Sequence, residues 1–267
     1  MANSMADRLA LRQLADDAFE SAEPTDEHHV FGGLLIGQAL RAGAATAPAG
    51  RAAHSLHASF VAGGAGGRPV SYDVERTRDG DSFTTRRVVA RQGDNVLLVL
   101  IADFHHDEPG AEYEIPAVPG IPGPDGLPVG RYDTPWFQSR DVPPASAPKE
   151  PPFARRAWFH PVEPVPDDPD LHLHALAYLS DHGPTRAARE PHEGMFDDGR
   201  RMSVSLDHSV WFHRPVDVNQ WLLSEFVPVA TGRGRGLSLG SIRTEDGSLV
   251  ATIAQEVLLR TLKGVPG

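Results

Sequence analysis

The stretch Ser205-Leu206-Asp207-His208-Ser209-Val210-Trp211-Phe212-His213-Arg214-Pro215 combines aromatic side chains with an unusual density of polar ones. It is too polar for an ordinary buried strand and too aromatic for an ordinary surface loop. Further along, Gln255 interrupts the apolar run Thr252-Ile253-Ala254-Gln255-Glu256. A buried carboxamide costs roughly 1–3 kcal/mol unless it finds hydrogen-bond partners. The two segments together predict a polar site inside a β-rich core.

Gln255 belongs to a hairpin pattern that occurs in both halves of the chain. In the first half, residues 88–104 read as strand, tight turn and strand, and residues 238–259 repeat that order in the second half. The turns contain Asp94-Asn95 and Asp246-Gly247, which tolerate the positive φ angles of hairpin turns. We therefore expect two antiparallel hairpins of similar length.

The spacing between the halves predicts an ancient duplication. Gln255 follows Asp103 by 152 residues when the two hairpins are superposed. Upstream, His208 to Trp211 can be laid on His57 to Phe60 with a spacing of 151 residues. The two spacings, taken from independent segments, thus differ by only one residue, which supports the duplication.

Each half also contains one helix candidate. Residues 33–45 carry apolar side chains on most sides, which predicts a buried helix. Residues 170–181 repeat leucines at helical spacing after Asp170, which can cap the N-terminus. Strand candidates surround both helices, at Val70–Thr77, Phe83–Arg91, Asn95–His105, Met202–Phe212, Trp221–Val229 and Leu237–Leu259. The predicted fold class is α+β, with one central helix wrapped by an antiparallel β-sheet in each of two repeats.

A proline-rich segment separates the two halves. Half of the 24 prolines fall between Asp107 and Phe153. Runs such as residues 121–128 cannot pair as a central strand or wind as a helix. We therefore predict an N-terminal unit at residues 1–106, a surface linker at residues 107–153 and a C-terminal unit at residues 154–267.

Composition restricts the partners of the chain. Its 267 residues carry a formal net charge of −11, which argues against non-specific binding to nucleic acid or to anionic membranes. The longest apolar run, Val96 to Ala102, is far shorter than the roughly 20 residues of a membrane span. Residues 1–14 lack a hydrophobic signal core, and residues 264–267 carry no peroxisomal address. We therefore expect a cytoplasmic protein.

Several catalytic chemistries are disfavoured by the sequence. The chain has no cysteine, which excludes disulfides and thiolate chemistry. Residues 236–240 match the G-x-S-x-G motif of α/β-hydrolases, but no histidine occurs after His213 to complete a triad in that order. The histidine pairs at residues 28–29, 105–106 and 172/174 lack the further ligand spacing of zinc enzymes. We expect no metal and no cofactor.

Four motifs resemble those of the type II acyl-CoA thioesterases, the TesB-like double hotdog proteins. They are residues 28–40 (HHVFGGLLIGQAL), residues 78–83 (RDGDSF), residues 207–215 (DHSVWFHRP) and Gln255-Glu256. The resemblance covers roughly residues 14–105 and 155–262, and it implies the double hotdog fold and hydrolysis of acyl-CoA to free fatty acid and CoA. The chain departs from the family at residues 61–67, where a glycine-rich loop replaces the usual Arg-Pro-Gly.

The resemblance implies which residues carry the reaction. The family uses an Asp, a Thr or Ser, and a Gln to hold a nucleophilic water, and by position these are Asp181, Ser205 and Gln255. An ionised Asp accepts hydrogen bonds, a Gln amide donates two, and a Ser hydroxyl does both, so the three can fix one water. Asp207 and His208 are expected to be structural, tying their strand to its neighbour.

Thioester hydrolysis also needs hydrogen-bond donors that stabilise the oxyanion formed from the carbonyl. The backbone amides of Gly32 and Gly33, at the start of the first helix, are candidate oxyanion donors because a helix N-terminus favours negative charge. The family's fold predicts a homo-oligomer, either a dimer or a tetramer.

Two other functions remain open: a non-hydrolytic acyl-CoA-binding protein, and a hydratase on the same fold that relies on an Asp–His pair.

Overall fold

A computed structural model of the chain describes residues 4–22, 28–192, 194–196 and 201–261. Both ends of the chain, including residues 264–267 discussed above, lie outside these ranges. The helices are Met5–Arg8 (α1), Gly32–Ala44 (α2), Pro169–Leu179 (α3) and Pro184–Arg189 (α4), with short 3-10 turns at Pro144–Ser146 and Glu190–His192. Within the described ranges, no helix is both long and apolar enough to cross a membrane.

The strands form one continuous antiparallel sheet. They are Leu11–Ala15 (β1), Ala18–Ser21 (β2), Ala52–Phe60 (β3), Ser71–Asp79 (β4), Phe83–Gln92 (β5), Asn95–His105 (β6), Phe137–Asp141 (β7), Arg155–Pro161 (β8), Arg201–Ser205 (β9), Asp207–Phe212 (β10), Leu222–Gly232 (β11), Arg235–Thr244 (β12) and Leu249–Thr261 (β13). Their order is β1-β2-β4-β5-β6-β3-β10-β13-β12-β11-β8-β7, and β9 also pairs with β13.

The sheet divides into two units that meet at the pairing of β3 with β10, where Leu56 lies opposite Val210. Helix α2 packs on the strands of the first unit and also against α3 of the second. The predicted architecture, two central helices each wrapped by antiparallel strands, is confirmed. The two hairpins, β5–β6 and β12–β13, are also confirmed.

The register corrects the superposition of the two halves by one residue. His57 is exposed, and its ring lies edge-on to the ring of Trp211 at 5.4 Å between centroids. His208 is fully buried. Because strand side chains alternate between faces, His57 cannot be the counterpart of His208. The buried Leu56 lies on the matching face.

The proline-rich segment is more ordered than a bare surface linker. Residues 121–128 form neither helix nor strand, as expected. However, β7 pairs with β8 at the edge of the sheet, and Phe137 is fully buried in the core. An edge position tolerates the neighbouring prolines because one side of the strand needs no partner. The domain boundaries at residues 106 and 153 remain a prediction.

Two details of the second unit differ from the sequence prediction. Helix α3 is capped by Asp168 rather than Asp170, since the Asp168 side chain accepts hydrogen bonds from the backbone amides of Asp170 and Leu171. The strand predicted at residues 202–212 is broken at Leu206 into β9 and β10. At the break, the Leu206 amide donates to the carbonyl of Glu256 at 2.9 Å.

Glycines in α2 allow the two central helices to approach closely. A Cβ atom added to Gly33 would lie 2.4 Å from the backbone carbonyl oxygen of Tyr178 in α3. A Cβ added to Gly43, in the last turn of α2, would meet only ordinary contacts, the nearest at 3.5 Å. The N-terminus of α2 therefore lies against the C-terminus of α3.

We expect Gly33→Ala to lower the free energy of unfolding by about 2 kcal/mol, because a backbone carbonyl cannot move aside without separating the helices. Gly43→Ala is the matched control in the same helix, and it should gain up to about 1 kcal/mol from its better helix propensity. Urea unfolding of both variants measures the difference. Equal stability changes in the two would contradict the close packing at Gly33.

Candidate active site

Asp181 lies where the two central helices meet. Helix α3 ends at Leu179, and Ser180 is its C-cap. The chain then turns at Gly183, whose φ of +123° is a conformation that favours glycine. A Cβ added to Gly32 would lie 2.6 Å from Oδ2 of Asp181. The carboxylate of Asp181 therefore lies so close to the start of α2 that a residue with a side chain would not fit at Gly32.

Gln255 is fully buried in β13, and its carboxamide is completely hydrogen bonded. Its Nε2 donates to Oγ of Ser205 at 2.8 Å and to Oγ1 of Thr185 at 3.1 Å. Its Oε1 accepts from Nδ1 of His208. The buried glutamine thus has the partners that the sequence required, and its two donors point to hydroxyl groups.

Ser205 connects Gln255 to the carboxylate. It is the last residue of β9, directly before the break at Leu206. Its Oγ accepts from Gln255 and lies 3.5 Å from Oδ1 of Asp181, to which it can donate. The structure therefore brings together all three side chains that the resemblance singled out. Thr185, in the first turn of α4, adds a second hydroxyl whose Oγ1 lies 3.4 Å from Oγ of Ser205.

The environment of Asp181 changes its acidity. Burial raises the pKa of Asp181 to about 7, while hydrogen bonding from the Gly33 backbone amide, Gln255 and Ser205 acts in the opposite direction. Burial prevails because removing a carboxylate from water disfavours the charged form. A carboxyl group with a pKa near neutrality can accept and release a proton under physiological conditions.

His208 holds the carboxamide of Gln255 in one orientation. Burial lowers the pKa of His208 to about 4, so the ring is neutral near pH 7. Its Nε2 lies 2.8 Å from Oγ of Ser180. Because a neutral imidazole has a single N–H, donation from Nδ1 to Gln255 leaves Nε2 as an acceptor for the Ser180 hydroxyl, which also lies 2.8 Å from the carbonyl oxygen of Ala177. Oε1 of Gln255 is thereby directed to His208, and its NH₂ group to the two hydroxyls.

The structural role predicted for Asp207 and His208, tying their strand to its neighbour, agrees with the contacts of both residues. Oδ1 of Asp207 accepts from the backbone amide of Glu256 at 2.7 Å and so ties β10 to β13. His208 also links β10 to β13, through its hydrogen bond to Gln255, which is a predicted site residue. Thr185 was missed because nothing in Gly183-Pro184-Thr185 distinguishes it from an ordinary helix start.

The first unit has no equivalent site among the residues that the structure describes. Thr46 follows the C-cap of α2 as Asp181 follows the C-cap of α3. The guanidinium of Arg86 fills the adjacent space, with Nε 2.8 Å from Oγ1 of Thr46 and Nη2 2.8 Å from Oδ1 of Asp79. Asp103, the counterpart of Gln255 in the hairpin superposition, hydrogen bonds to Thr85 instead. In the first unit, the ion pair between Arg86 and Asp79 thus occupies the position that corresponds to the site around Asp181 in the second unit.

The N-terminus of α2 is a donor-rich element beside this cluster. Its N-cap residue, Phe31, makes no side-chain cap, but the backbone amide of Gly33 hydrogen bonds to the Asp181 carboxylate. Gly32 and Gly33, the predicted oxyanion donors, lie there beside Asp181. As for metals, no group of three His, Cys, Asp or Glu side chains within the described ranges could hold an ion.

Comparisons with known proteins agree along nearly the whole chain. Residues 21–105 match the family model of the acyl-CoA thioesterase N-terminal domain, and residues 105–259 match that of the acyl-CoA thioesterase C-terminal domain. The chain is 32% identical to acyl-CoA thioesterase 2 of Haemophilus influenzae, over 97% of each protein. It is 31% identical to human acyl-coenzyme A thioesterase 8, over 94% of this chain and 87% of the human protein.

Solved structures show the same similarity. The acyl-CoA thioesterase II TesB2 from Mycobacterium marinum superposes with a TM-score of 0.87 and 34% sequence identity, covering 98% of this chain and 99% of that one. A protein with the hot dog fold from Alicyclobacillus acidocaldarius superposes with a TM-score of 0.79 at 19% identity, over 97% and 98% of the two chains. The second match supports the fold alone.

Proposed function

Because the chain belongs to the TesB-like acyl-CoA thioesterase II family and is an acyl-CoA thioesterase by that homology, we propose that Asp181, Ser205 and Gln255 activate the water that cleaves the thioester. The observation that carries this proposal is the hydrogen-bonded chain from Gln255 through Ser205 to Asp181. This chain of hydrogen bonds brings together a proton acceptor (Asp181), a hydroxyl (Ser205) and an oriented amide (Gln255).

In the proposed reaction, the water replaces one hydroxyl contact of Gln255 and lies between the Asp181 carboxylate and the donors of Gln255 and Ser205. Asp181 removes one proton as the water oxygen attacks the thioester carbonyl carbon, and the carbonyl becomes an oxyanion. When the tetrahedral intermediate collapses, the carbon–sulfur bond breaks and the thiolate of CoA leaves. The proton held by Asp181 passes to that thiolate, which gives CoA and the free fatty acid and restores the ionised base.

We assign the oxyanion to the backbone amides at the start of α2, at Gly32 and Gly33. The N-terminus of α2 presents backbone donors and a positive dipole end, and both favour a developing negative charge, although the Gly33 amide also hydrogen bonds to Asp181. The close approach of Gly32 to Asp181 supports this assignment, because base and oxyanion donors must lie on either side of one reacting carbon.

Neither alternative function has comparable support. A hydratase based on an Asp–His pair would need a histidine free to exchange protons, but both ring nitrogens of His208 face hydrogen-bond partners. A protein that binds acyl-CoA without hydrolysing it would not need a carboxyl group with a pKa near 7 beside an oriented amide. A free-thiol assay over a series of acyl-chain lengths separates binding from hydrolysis. Release of thiol is expected, and none at any chain length would refute the proposed function.

The rate of hydrolysis should depend on pH through Asp181. Because burial raises its pKa to about 7, the base is protonated in acid. We expect kcat to fall about tenfold for each pH unit below that value and to level off above it. The loss of the thioester absorbance, followed from about pH 5 to about pH 9, measures this profile. A kcat that stays constant as the pH falls below about 7 would mean that Asp181 is not the base.

The assembly and location of the protein remain proposals. The described sheet ends in β1 and β7, and strands at a sheet edge can pair with those of a second copy. This supports a homo-oligomer, either a dimer or a tetramer. The net charge of −11 argues against non-specific binding to nucleic acid or to anionic membranes, and a cytoplasmic location stays a proposal.

A further inference from the structure

Thr185 is the hydroxyl of the site to which the proposed reaction gives no task. It lies in the first turn of α4 and is half-buried. Its Oγ1 accepts from Nε2 of Gln255 at 3.1 Å and lies 3.4 Å from Oγ of Ser205. Thr185 therefore occupies the second donor of the Gln255 amide, while Ser205 occupies the first.

The two hydroxyl contacts of Gln255 are not equivalent. The hydrogen bond to Ser205 is the shorter one, at 2.8 Å against 3.1 Å for Thr185. Ser205 is also fixed by the sheet, since it lies opposite Val257 in the pairing of β9 with β13. Thr185 instead belongs to a helix of six residues that packs on the sheet. The contact with Thr185 is therefore the one that a water molecule replaces more easily.

A water molecule at this position has two hydrogens that need acceptors. Asp181 accepts one of them, and this is the proton that the base removes. Gln255 and Ser205 act as donors toward the same water in the proposed reaction, so neither of them takes the second hydrogen. A hydroxyl oxygen with a free lone pair could accept it.

The exchange of partners at Gln255 provides such an oxygen. When the water takes the N–H that Thr185 accepts in the structure, the Thr185 hydroxyl loses its donor and regains a lone pair. Because Thr185 lies beside that donor, the water that binds there is its nearest new partner. An acceptor for the second hydrogen thus becomes available at the moment when the water arrives.

We propose that Thr185 is a fourth catalytic residue, which accepts the second hydrogen of the attacking water and so keeps the first directed at Asp181. The proposal rests on the proposed function, because it assigns one more contact to the same water. It also accounts for the second hydroxyl beside Gln255. Between turnovers, Thr185 satisfies a buried N–H that would otherwise lack a partner, which is unfavourable.

Methanol separates this task from simple support of the Gln255 amide. When methanol attacks, its oxygen bonds to the carbonyl carbon and its single O–H proton passes through Asp181 to the departing CoA thiolate. The products are a methyl ester and CoA. Because methanol has no second O–H, this reaction does not need Thr185 as an acceptor. Loss of that acceptor slows hydrolysis alone, whereas a disturbed Gln255 slows both reactions.

Thr185→Val removes the hydroxyl and keeps nearly the same side-chain shape. We expect it to lower kcat for hydrolysis about tenfold, the effect of one hydrogen bond. In a mixture of water and methanol, the ratio of methyl ester to fatty acid should rise by about the same factor. Chromatography measures both products in one sample, so the ratio does not depend on the amount of active protein. An unchanged ratio, including the absence of methyl ester with either protein, would overturn the proposal.

Three further variants complete the experiment. Thr185→Ser keeps the hydroxyl and should give the wild-type ratio, and a raised ratio in this variant would also overturn the proposal. Thr231→Val is the matched control, because its hydroxyl contacts Nε2 of His192, beyond the far end of α4, at 2.7 Å. It should change neither the rate nor the ratio.

Asp181→Asn separates failure of this proposal from failure of the proposed function. It should form neither product at an appreciable rate, because both reactions use the same base. Wild-type rates in Asp181→Asn would refute the proposed function itself. An inactive Asp181→Asn together with an unchanged product ratio in Thr185→Val would refute the task of Thr185 alone.

Discussion

Replacement of Asp181 by asparagine is expected to lower kcat for acyl-CoA hydrolysis at least about a hundredfold, because a positioned general base contributes two to four orders of magnitude. Asparagine has nearly the same shape and keeps one oxygen acceptor, but it cannot take a proton from water near pH 7. Steady-state release of free thiol measures the effect. Substrate binding should change little, since in the proposed reaction Asp181 contacts the attacking water rather than the acyl group.

The stability of this variant separates lost chemistry from lost folding. The pKa of Asp181 is raised from 3.8 to about 7 in the folded protein. Its stabilising contribution is therefore fully present below its unfolded pKa of 3.8 and is lost as pH rises through about 7. The substituted asparagine carries no charge to bury, so the variant should be at least as stable as the wild type in mildly alkaline buffer. Wild-type rates in a folded Asp181→Asn protein would rule out the proposed base.

His208→Leu is expected to lower kcat by about 30-fold, because the Gln255 carboxamide loses the contact that fixes its orientation. An unpaired buried acceptor costs about 1–3 kcal/mol, and about 1.4 kcal/mol corresponds to a tenfold change in rate. The glutamine can then rotate and turn its carbonyl, instead of its NH₂ group, toward the site. The thiol-release assay gives kcat and KM separately, and KM should be nearly unaffected.

Two further variants distinguish orientation from packing. His208→Asn places an amide N–H where Nδ1 of the ring lies, and it should recover most of the lost activity. Ser180→Ala removes the partner of Nε2 but leaves the contact with Gln255 intact, and it should hydrolyse acyl-CoA almost as the wild type does. The fall in kcat at acidic pH, which we attribute to protonation of Asp181, should persist in His208→Leu. Equal impairment of the leucine and asparagine variants would argue against the positioning role.

Much of the fold could be predicted from local pattern. The β5–β6 and β12–β13 hairpins follow from strand-forming residues around turn dipeptides, and both central helices follow from their apolar composition. The strands β1, β2, β3 and β8 were not among the predicted strands, and three of them, β1, β2 and β8, are segments of four to seven residues that carry too little periodicity to stand out. The edge strand β7 was hidden by the prolines around it.

The candidate site was only partly predictable. Resemblance to the family singled out Asp181, Ser205 and Gln255, and the fold brings them together from the end of α3, from β9 and from β13. Thr185 carries no sequence signal, because its role arises only from the direction in which α4 leaves Gly183. The contact between His208 and Gln255 depends on the pairing of β10 with β13, which local sequence pattern does not specify.

The sequence by itself determined the repeated helix and hairpins, the chemical types at the site and the absence of thiol chemistry, because these follow from residue identity and local periodicity. The tertiary structure alone decided which side chains meet, why the site forms in the second unit, and why the pKa of Asp181 lies near 7. Burial and hydrogen bonding are set by neighbours that are far apart in the chain. They become defined only when the two units pack together.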